Sequence, residues 1–294
     1  MGQALASEDD TVTVRVVTDS TADLPPEVAR ELAITVVPLL VLFGDEVYRD
    51  GVDLTNEEFF RRLTTSRVLP TTSQPPVGAF QEAYRKLAAE AGQIVSIHIS
   101  AWVSGTCQSA IQAAGSLGGS PQVEVVDSQT TSMGLGFQAI AAARAARAGA
   151  SIEEVAAVAR SVGRRHHLLA LLETLEYLRR GGRIGRAQAF LGSILNLKPL
   201  LTFRDGIVHP VARVRTRARA LEELLRHSLA YGDLEDVAVI HGTTPEDAEM
   251  LAQRVRERLP QVPIHVGRLG PVLGVHGGPG IIGMVVIEAE KGKG

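Results

Sequence analysis

The sequence has 294 residues, which suggests two domains or one large domain. Its hydrophobic content of 45% excludes a disordered chain, and its net charge of −3 gives no bulk electrostatic reason to expect nucleic-acid binding. The single cysteine, Cys107, excludes an internal disulfide and a zinc site built on paired cysteines.

The N-terminal residues, MGQALASEDD, are acidic and have no apolar core, so they do not resemble a signal peptide. We expect residues 1–11 to form a flexible extension and the protein to be cytoplasmic. The longest apolar run, 269–287, contains a histidine, two prolines and several glycines, which make it a poor membrane helix.

Short apolar segments alternate with helical segments through the first half of the chain. The valine-rich residues 12–18 predict a buried strand, and Pro25 or Pro26 predicts the start of a helix. A loop is predicted at 70–76. Further strands are predicted at 34–42, 94–99 and 123–126. Further helices are predicted at 55–66, from the end of the loop to about 91, and at 105–117, 131–148 and 152–163.

This alternation predicts a parallel sheet with helices on both faces over residues 12–163. In such sheets, ligands bind at the carboxyl ends of the strands. Three polar motifs follow predicted strands at that edge: Asp19-Ser20-Thr21, Ser100 to Thr106, and Asp127-Ser128. Their coincidence is the first indication of a binding site.

The second half, residues 164–290, has a different pattern. Two apolar stretches, 198–203 and 207–211, flank an Arg-Asp-Gly turn and predict a β-hairpin. Other strands are predicted at 168–172, 237–240, 264–266 and 283–287, with helices at 173–180, 216–230 and 245–259. We therefore expect an α/β protein of two closely packed domains, the second an α+β domain with a mixed or antiparallel sheet.

Two hydroxyl-rich segments precede predicted helices. In Thr-Thr-Ser-Gln-Pro, Ser73 or a neighbour could cap the following helix, or the hydroxyls of Thr72 and Ser73 could bind an anionic group. In the segment before the next helix, Ser104 could be an N-cap, a donor to a carboxylate or phosphate, or a nucleophile. The segment lacks a Gly-x-Ser-x-Gly pattern, which makes the nucleophile interpretation weak.

Arginines cluster in two places. Arg183 follows a Gly-Gly pair, where it is either part of a solvated helix end or a planar fork for an anion. Arg213, Arg215, Arg217 and Arg219 alternate with other residues as the chain enters a helix. They form either a solvated edge or a docking patch for an acidic partner.

His276 lies in a segment, 270–280, that is rich in glycine and proline. A lone histidine is usually structural, but glycines on both sides clear space around the ring and favour a ligand contact. The other histidines are dispersed and form no compact metal-binding pattern, so no metal site is predicted.

Together the motifs resemble the DegV family, which includes the FakB subunits of bacterial fatty acid kinase. The resemblance covers residues 12–288, and the joint order of the motifs is more specific than any one of them. At three positions this sequence departs from the family pattern. Ala101 and Cys107 stand where serine and tyrosine are more usual, and Gly277 follows the histidine where another residue is more usual. These departures bear on the preferred length of the acyl chain and on local packing. The motifs are Asp-Ser-Thr-Ala-Asp-Leu, Thr-Ser-Gln-Pro, Ser-Gly-Thr, Asp-Ser, Leu-Arg-Arg-Gly-Gly-Arg-Ile, Lys-Pro-Leu, Val-Arg-Thr and Gly-Pro-Val-x-Gly-Val-His-x-Gly-Pro-Gly.

The resemblance implies a two-domain α/β fold that holds one long-chain fatty acid in a buried tunnel, with the carboxylate near the surface. It implies a carboxylate site formed by Thr72, Ser104 and His276. Three further residues would lie near the head group or face a partner: Ser73, Arg183 and Arg215.

The implied partner is a separate ATP-binding kinase subunit, which phosphorylates the carboxylate to an acyl phosphate for phospholipid synthesis. This chain has no glycine-rich loop followed by lysine and no evident aspartate pair, so we expect ATP and magnesium on the partner. No cofactor other than the fatty acid ligand and no nucleic acid is expected here. Transient membrane contact would serve lipid exchange.

The sequence also allows an alternative function. An α/β chain with Ser104, His276 and Asp127 could be a serine acyl hydrolase, in which the hydroxyl attacks an acyl carbon and the histidine acts as base. Activity on simple esters that is lost in Ser104→Ala would favour this alternative.

Overall fold

A computed structural model describes residues 14–191 and 197–290 of the chain, so the predicted extension at 1–11 lies outside the described residues. In the first half, strands and helices largely follow the predicted alternation, and a short 3-10 turn, Ser20–Ala22, follows the first strand. In chain order the elements are β1 (Val14–Asp19), α1 (Pro26–Glu31), β2 (Ile34–Val37), β3 (Leu40–Phe43), β4 (Glu46–Arg49), α2 (Asn56–Thr65), β5 (Thr71–Ser73), α3 (Val77–Ala88), β6 (Gln93–His98), α4 (Thr106–Gly115), β7 (Gln122–Asp127), α5 (Met133–Arg147) and α6 (Ile152–Arg165).

Four strands of the described residues form a parallel sheet in the order β2-β1-β6-β7. The central strand β1 sends Val17 to one face, where it packs with Phe80 and Tyr84 of α3. Its neighbour Val16 points to the other face, where it packs with Leu135 of α5. Alternate residues of a strand point to opposite faces, so a strand covered on both faces is apolar throughout. The predicted parallel sheet with helices on both faces is confirmed.

The prediction of a single strand at 34–42 is wrong. Pro38 has no backbone N–H and interrupts the ladder, so the parallel strand β2 ends at Val37. β3 pairs instead with β4 and β5 in a separate antiparallel sheet of order β4-β3-β5. The strand β5 lies inside the predicted loop, and its Thr72 stands opposite Val41. This pairing fixes where the Thr72 hydroxyl lies.

In the second half, the described strands form one mixed sheet in the order β10-β9-β8-β13-β11-β12. β11 and β12 run parallel, and the other neighbours in the sheet are antiparallel. The predicted hairpin is formed by β9 and β10, and a 3-10 segment, Gly185–Phe190, precedes it. The elements are β8 (His166–Leu171), α7 (Glu176–Arg180), β9 (Lys198–Arg204), β10 (Ile207–Val214), α8 (Arg217–Ser228), β11 (Leu234–His241), α9 (Pro245–Arg258), β12 (Ile264–Arg268), α10 (Pro271–Gly277) and β13 (Ile282–Glu288).

The sequence pattern does not predict α10, because its segment is so rich in glycine. Two boundary signals are nevertheless present: Pro271 occupies the first helical turn, and Gly278 follows the helix with φ of 75°. A helix this short is stabilised by packing rather than by propensity. Gly274 lies against Phe59 of α2, where a Cβ atom would be 2.4 Å from the ring.

One buried cluster joins the parallel sheet to the mixed sheet. It includes Val95 of β6, Leu135 of α5, and Ile240 and Val285 of the mixed sheet. Helices α8 and α9 cover the opposite face of the mixed sheet. The loops after β6 and β7 therefore face β8, β9 and α10 across an enclosed space. The domain boundary expected near residue 163 stays a prediction.

Candidate functional site

A cavity of about 210 Å³ lies between the carboxyl edge of the parallel sheet and the mixed sheet. Most of its wall is aliphatic, and much of that wall is buried, including Leu168, Leu201, Val208, Ile240 and Val285. Both halves of the chain contribute to it. A concave apolar space with a few polar groups at its edge suits a ligand with a hydrocarbon body.

The cavity reaches solvent where exposed polar side chains line it. Ser73, Gln74 and Arg183 are the exposed members of the lining among the described residues. Gln74 lies against the loop before α4, since a Cβ atom on Gly105 would be 2.6 Å from its amide. We call this region the mouth of the cavity, and it includes the part-buried Ser104.

The structure brings together two of the predicted carboxylate-binding residues. Thr72 Oγ1 lies 2.9 Å from His276 Nε2, and both side chains line the cavity. The ring of His276 packs against Gly181, where a Cβ atom would be 2.3 Å from Nδ1. Thus the turn after α7 needs glycine to admit the imidazole.

The electrostatic environment keeps His276 neutral. Burial and the positive charge of Arg183 lower the pKa of His276 to about 4. Its Nδ1 atom is buried and has no hydrogen-bond partner within the described residues. At neutral pH the ring therefore has one donor and one acceptor nitrogen, of which one faces Thr72.

Ser104 lines the same cavity but is not the helix cap. The N-cap of α4 is Gly105, which makes no side-chain capping bond. Ser104 Oγ lies 2.8 Å from Thr106 Oγ1 and accepts a 3.4 Å hydrogen bond from the Thr106 N–H. The hydroxyl is thus held at the mouth by its neighbour and retains capacity for another bond.

Ser73 also lines the cavity, and the interpretation of Ser73 as the cap of the next helix is wrong. The N-cap of α3 is Pro76, which has no side-chain capping bond, and the Ser73 hydroxyl donates to the Gln74 carbonyl at 3.3 Å. Gln74 is the site residue that the sequence analysis did not single out. Its position in the Thr-Ser-Gln-Pro motif was the available signal.

Arg183 is a bridge rather than a solvated helix end. Its Nε donates to the Val103 carbonyl at 3.1 Å, and its Nη1 donates to the Gly181 carbonyl at 2.7 Å. It thereby ties the loop after β6 to the turn after α7. Arg215 is exposed in the connection between β10 and α8 and does not line the cavity.

The basic edge expected near Arg215 is only partly a free surface. Arg217 is part-buried and forms ion pairs with Glu173 at 2.5 Å and Asp247 at 2.7 Å. It also donates to the Gly280 carbonyl at 2.9 Å. Arg217 therefore ties α8 to α9, to the segment after β8 and to the segment after α10, and the interpretation of Arg217 as a docking residue is wrong.

The geometry does not assemble the hydrolase triad. Asp127 accepts hydrogen bonds from the backbone N–H groups of Ala101 and Gln129, at 3.2 and 2.9 Å. His276 points to Thr72, and within the described residues it makes no hydrogen bond or ion pair to Ser104 or Asp127. A catalytic histidine needs the nucleophile on one ring nitrogen and an orienting group on the other.

A Ser–His–Asp chain does exist elsewhere, in the core of the parallel sheet. Ser96 Oγ lies 2.7 Å from His98 Nε2, and His98 Nδ1 lies 3.0 Å from Asp19 Oδ2. All three are completely buried, so no substrate reaches them. Asp19 also accepts from the Thr21 N–H at 3.0 Å and thus fixes the turn after β1.

The described residues contain no group of three or more His, Cys, Asp or Glu side chains arranged to hold a metal ion. In that same part of the chain, no helix is both long enough and apolar enough to cross a membrane.

Comparison with known proteins agrees with the resemblance seen in the sequence. The family model described as "Uncharacterised protein, DegV family" matches residues 13–289. A DegV domain-containing protein of Streptomyces coelicolor is 41% identical over 277 residues, which cover 93% of this chain and 98% of that protein.

Solved structures share the fold. A DegV family protein from Thermus thermophilus, described for its fatty acid binding, has a TM-score of 0.87 at 37% identity and covers 94% of this chain and 100% of its own. DegV from Bacillus subtilis, described as a fatty acid binding protein, has a TM-score of 0.85 at 32% identity, with coverages of 94% and 100%.

Proposed function

This chain belongs to the DegV family, and on that premise we propose that it binds one long-chain fatty acid and presents the carboxylate to a separate ATP-dependent kinase subunit. One observation carries the proposal: an aliphatic cavity with a mouth at Ser73, Gln74 and Arg183 is also lined by three neutral polar groups, Thr72, Ser104 and His276. The fatty acid binding described for the Thermus and Bacillus proteins supports it.

The aliphatic wall supplies most of the affinity. Burial of one methylene group contributes about 0.8 kcal/mol, so a chain of roughly 14 methylenes gains on the order of 11 kcal/mol before the ordering costs of binding. The polar groups at the mouth need only hold the head group in place. A hydrogen bond to a charged group adds about 1.5–3 kcal/mol, and an unpaired buried carboxylate costs more.

The carboxylate lies beside Thr72, Ser104 and His276 in this proposal. All three are uncharged at neutral pH, because burial and Arg183 lower the pKa of His276 to about 4. Arg183 already donates to two backbone carbonyls, so it is not a free fork for both carboxylate oxygens. The head group is thus held by neutral donors and keeps its nucleophilic oxygen.

In the chemical step, a carboxylate oxygen attacks the γ-phosphorus of ATP, the bond to the bridging oxygen breaks, and ADP leaves. The products are acyl phosphate and ADP. ATP and magnesium belong to the kinase subunit, which neutralises the charge on the phosphates. The exposed Arg215 and the exposed edge of Arg183 face this partner. The acyl phosphate then serves phospholipid synthesis, and the protein works in the cytoplasm, where ATP is available.

Reconstitution tests the proposal. The protein loaded with oleate is mixed with ATP, magnesium and the kinase subunit of the same organism, and acyl phosphate is trapped with hydroxylamine as the hydroxamate. We expect hydroxamate only when both proteins are present, with much less from Ser104→Ala. Ester hydrolysis by this protein alone, or a loaded protein that yields no hydroxamate with the kinase subunit, would contradict the proposal.

A further inference from the structure

Asp23 belongs to the polar motif that follows β1, but it does not line the cavity. Its side chain joins two helices that lie far apart in the chain. Oδ1 accepts a 2.8 Å hydrogen bond from the Gly270 N–H at the start of α10, and Oδ2 lies 2.5 Å from Ser132 Oγ at the start of α5. Ser132 lines the cavity, as do Val272 and His276 of α10. Asp23 therefore connects two parts of the cavity wall from outside.

The Asp23 carboxyl group and the start of α10 are in close contact. A Cβ atom on Gly270 would be 3.2 Å from Asp23 Oδ1 and 3.5 Å from both carboxyl oxygens of Asp50. Gly270 has φ of −67°, which any residue can adopt, so the lack of space and not the backbone conformation favours glycine at this position. A larger side chain at 270 would push the carboxyl group and the helix apart.

Ser132 is held in a backbone conformation that serine rarely adopts. Its φ of 51° and ψ of −147° lie near a region that is populated almost only by glycine. Ser132 is the N-cap residue of α5, yet its hydroxyl makes no capping bond and contacts Asp23 instead. Asp23 itself has φ of 51° and ψ of 32°, in the left-handed region. Such conformations persist only where their surroundings fix them, so the contact between the two residues is a built part of the cavity wall.

Apolar packing alone does not fix the position of α10. The helix packs against α2 in an apolar cluster, but hydrophobic contacts are non-directional and allow a short helix to slide along its neighbour. The hydrogen bond from the Gly270 N–H to Asp23 is directional and holds the start of α10 at one place. His276 lies in the same short helix, so a shift at Gly270 moves the imidazole relative to Thr72, 2.9 Å away.

We infer that Asp23 is a positioning residue, which through Gly270 sets α10 so that the His276 imidazole and the Thr72 hydroxyl meet at the carboxylate of the bound acyl chain. This inference rests on the proposed function. Asp23 does not line the cavity, so it acts on the head group only through His276. Loss of Asp23 should therefore disturb the alignment of the head group more than the retention of the acyl chain, because the aliphatic wall supplies most of the affinity.

Asparagine should be able to replace Asp23, and alanine should not. Burial raises the pKa of Asp23 to about 8, so the neutral acid predominates near pH 7. A neutral carboxyl group has a carbonyl oxygen that accepts and a hydroxyl that donates. Asparagine offers the same arrangement, with a carbonyl oxygen for the Gly270 N–H and an NH2 group for Ser132 Oγ. Asp23→Asn thus keeps both contacts, whereas Asp23→Ala removes both.

A double-mutant cycle tests whether Asp23 acts through His276. Acyl phosphate formation with the kinase subunit is measured as hydroxamate for wild type, Asp23→Ala, His276→Ala and the double variant, each loaded with oleate. We expect Asp23→Ala to slow the reaction roughly tenfold in the wild-type background, the equivalent of about 1.4 kcal/mol. In the His276→Ala background it should slow the reaction less than about twofold, because the group that Asp23 positions is already absent. Asp23→Asn should react at nearly the wild-type rate.

NMR of the His276 imidazole in the lipid-free protein provides a second readout, which needs no kinase subunit. The His276 signals should move in Asp23→Ala, and also in Gly270→Ala, where the added methyl group displaces the carboxyl group. They should stay in place in Asp23→Asn. The control is Asp53→Ala, which removes an exposed carboxylate paired with Arg49 and should leave the signals and the hydroxamate yield unchanged. If His276→Ala forms no measurable hydroxamate, the imidazole signals decide the question.

Three results would overturn the inference. Asp23→Ala could leave both the His276 signals and the hydroxamate yield at their wild-type values. It could slow the reaction equally with and without the His276 side chain, which would make Asp23 a general stabilising residue. Asp23→Asn could be as slow as Asp23→Ala, which would assign the effect to a negative charge rather than to the two hydrogen bonds. A wild-type protein whose His276 signals respond as expected but that forms no hydroxamate contradicts the proposed function instead.

Discussion

Thr72 Oγ1 lies 2.9 Å from His276 Nε2, although 204 residues separate the two in the chain. β5 supplies Thr72 through its pairing with β3, and α10 supplies His276 through its packing on α2. In the proposed complex, the carboxylate would meet a hydroxyl and an imidazole that are already oriented, which lowers the ordering cost of binding.

The first prediction concerns this contact. Thr72→Val keeps the shape of the side chain and removes the hydroxyl, so the loss is one hydrogen bond of about 1 kcal/mol. We expect the fatty acid content of the purified protein to stay near that of wild type, while acyl phosphate formation falls severalfold because the carboxylate is no longer aligned.

Thr71→Val is the matched control, since Thr71 lies in the same strand and does not line the cavity. It should leave lipid content and acyl phosphate formation unchanged. If Thr72→Val lost lipid and acyl phosphate in equal proportion, Thr72 would contribute to retention of the ligand rather than to alignment of its head group.

The second prediction is a change in the titration of His276. Burial and Arg183 lower its pKa to about 4 in the lipid-free protein. A carboxylate bound beside the ring favours the imidazolium form, so the pKa should rise when fatty acid binds. NMR titration of the His276 imidazole in the lipid-free and lipid-bound protein measures this change. An unchanged His276 pKa would place the head group elsewhere.

The third prediction concerns the part-buried carboxyl of Asp23 near α10. Burial raises the pKa of Asp23 to about 8, against hydrogen bonds from Ser132 and from the Gly270 N–H. Between its unfolded pKa near 4 and about 8, the folded state binds more protons than the unfolded state, so Asp23 makes stability fall as pH rises. Asp23→Asn should remove this fall in stability with rising pH.

Denaturant titrations over a pH series measure this effect. The stability of Asp23→Asn relative to wild type should increase as pH rises from about 5 to 8, by on the order of 1 kcal/mol per pH unit, and then level off. Asp53→Asn is the control, because Arg49 lowers the pKa of the exposed Asp53 to about 2. Parallel curves for wild type and Asp23→Asn would show that Asp23 is ionised throughout.

The fourth prediction separates two arginines that the sequence places together. Arg217→Ala removes ion pairs to Glu173 and Asp247 and leaves part-buried carboxylates behind, so it should lower stability by about 1–3 kcal/mol. Arg215→Glu changes an exposed side chain and should leave thermal stability unchanged while slowing acyl phosphate formation. Equal rates for Arg215→Glu and wild type would remove Arg215 from the partner surface.

Much of the fold is predictable because local patterns and tertiary packing agree. Alternating apolar strands and helices predicted the parallel sheet, and the Arg-Asp-Gly turn predicted the hairpin of β9 and β10. Local sequence patterns do not predict the short elements. β5 has three residues and exists through pairing with β3, and α10 has seven and exists through burial against α2. Neither has enough sequence of its own to show a period.

Sequence motifs predicted the polar residues of the site, but no motif predicted its apolar wall. Thr72, Ser104, Arg183 and His276 stand in recognisable segments, and all four line the cavity. The aliphatic wall consists of ordinary core residues such as Leu201, which no local pattern distinguishes from the rest of the core. Similarly, the alternating arginines do not reveal that Arg217 forms ion pairs with Glu173 and Asp247, which are distant in the sequence.

Mass spectrometry of the bound lipid tests the central claim most directly. The protein is purified from bacteria, denatured and extracted with organic solvent, and the released small molecules are identified and quantified. We predict a near-stoichiometric amount of long-chain fatty acid, whose length shows the preference of the cavity among the chains available. A protein that releases no fatty acid and takes up none that is added would contradict the account.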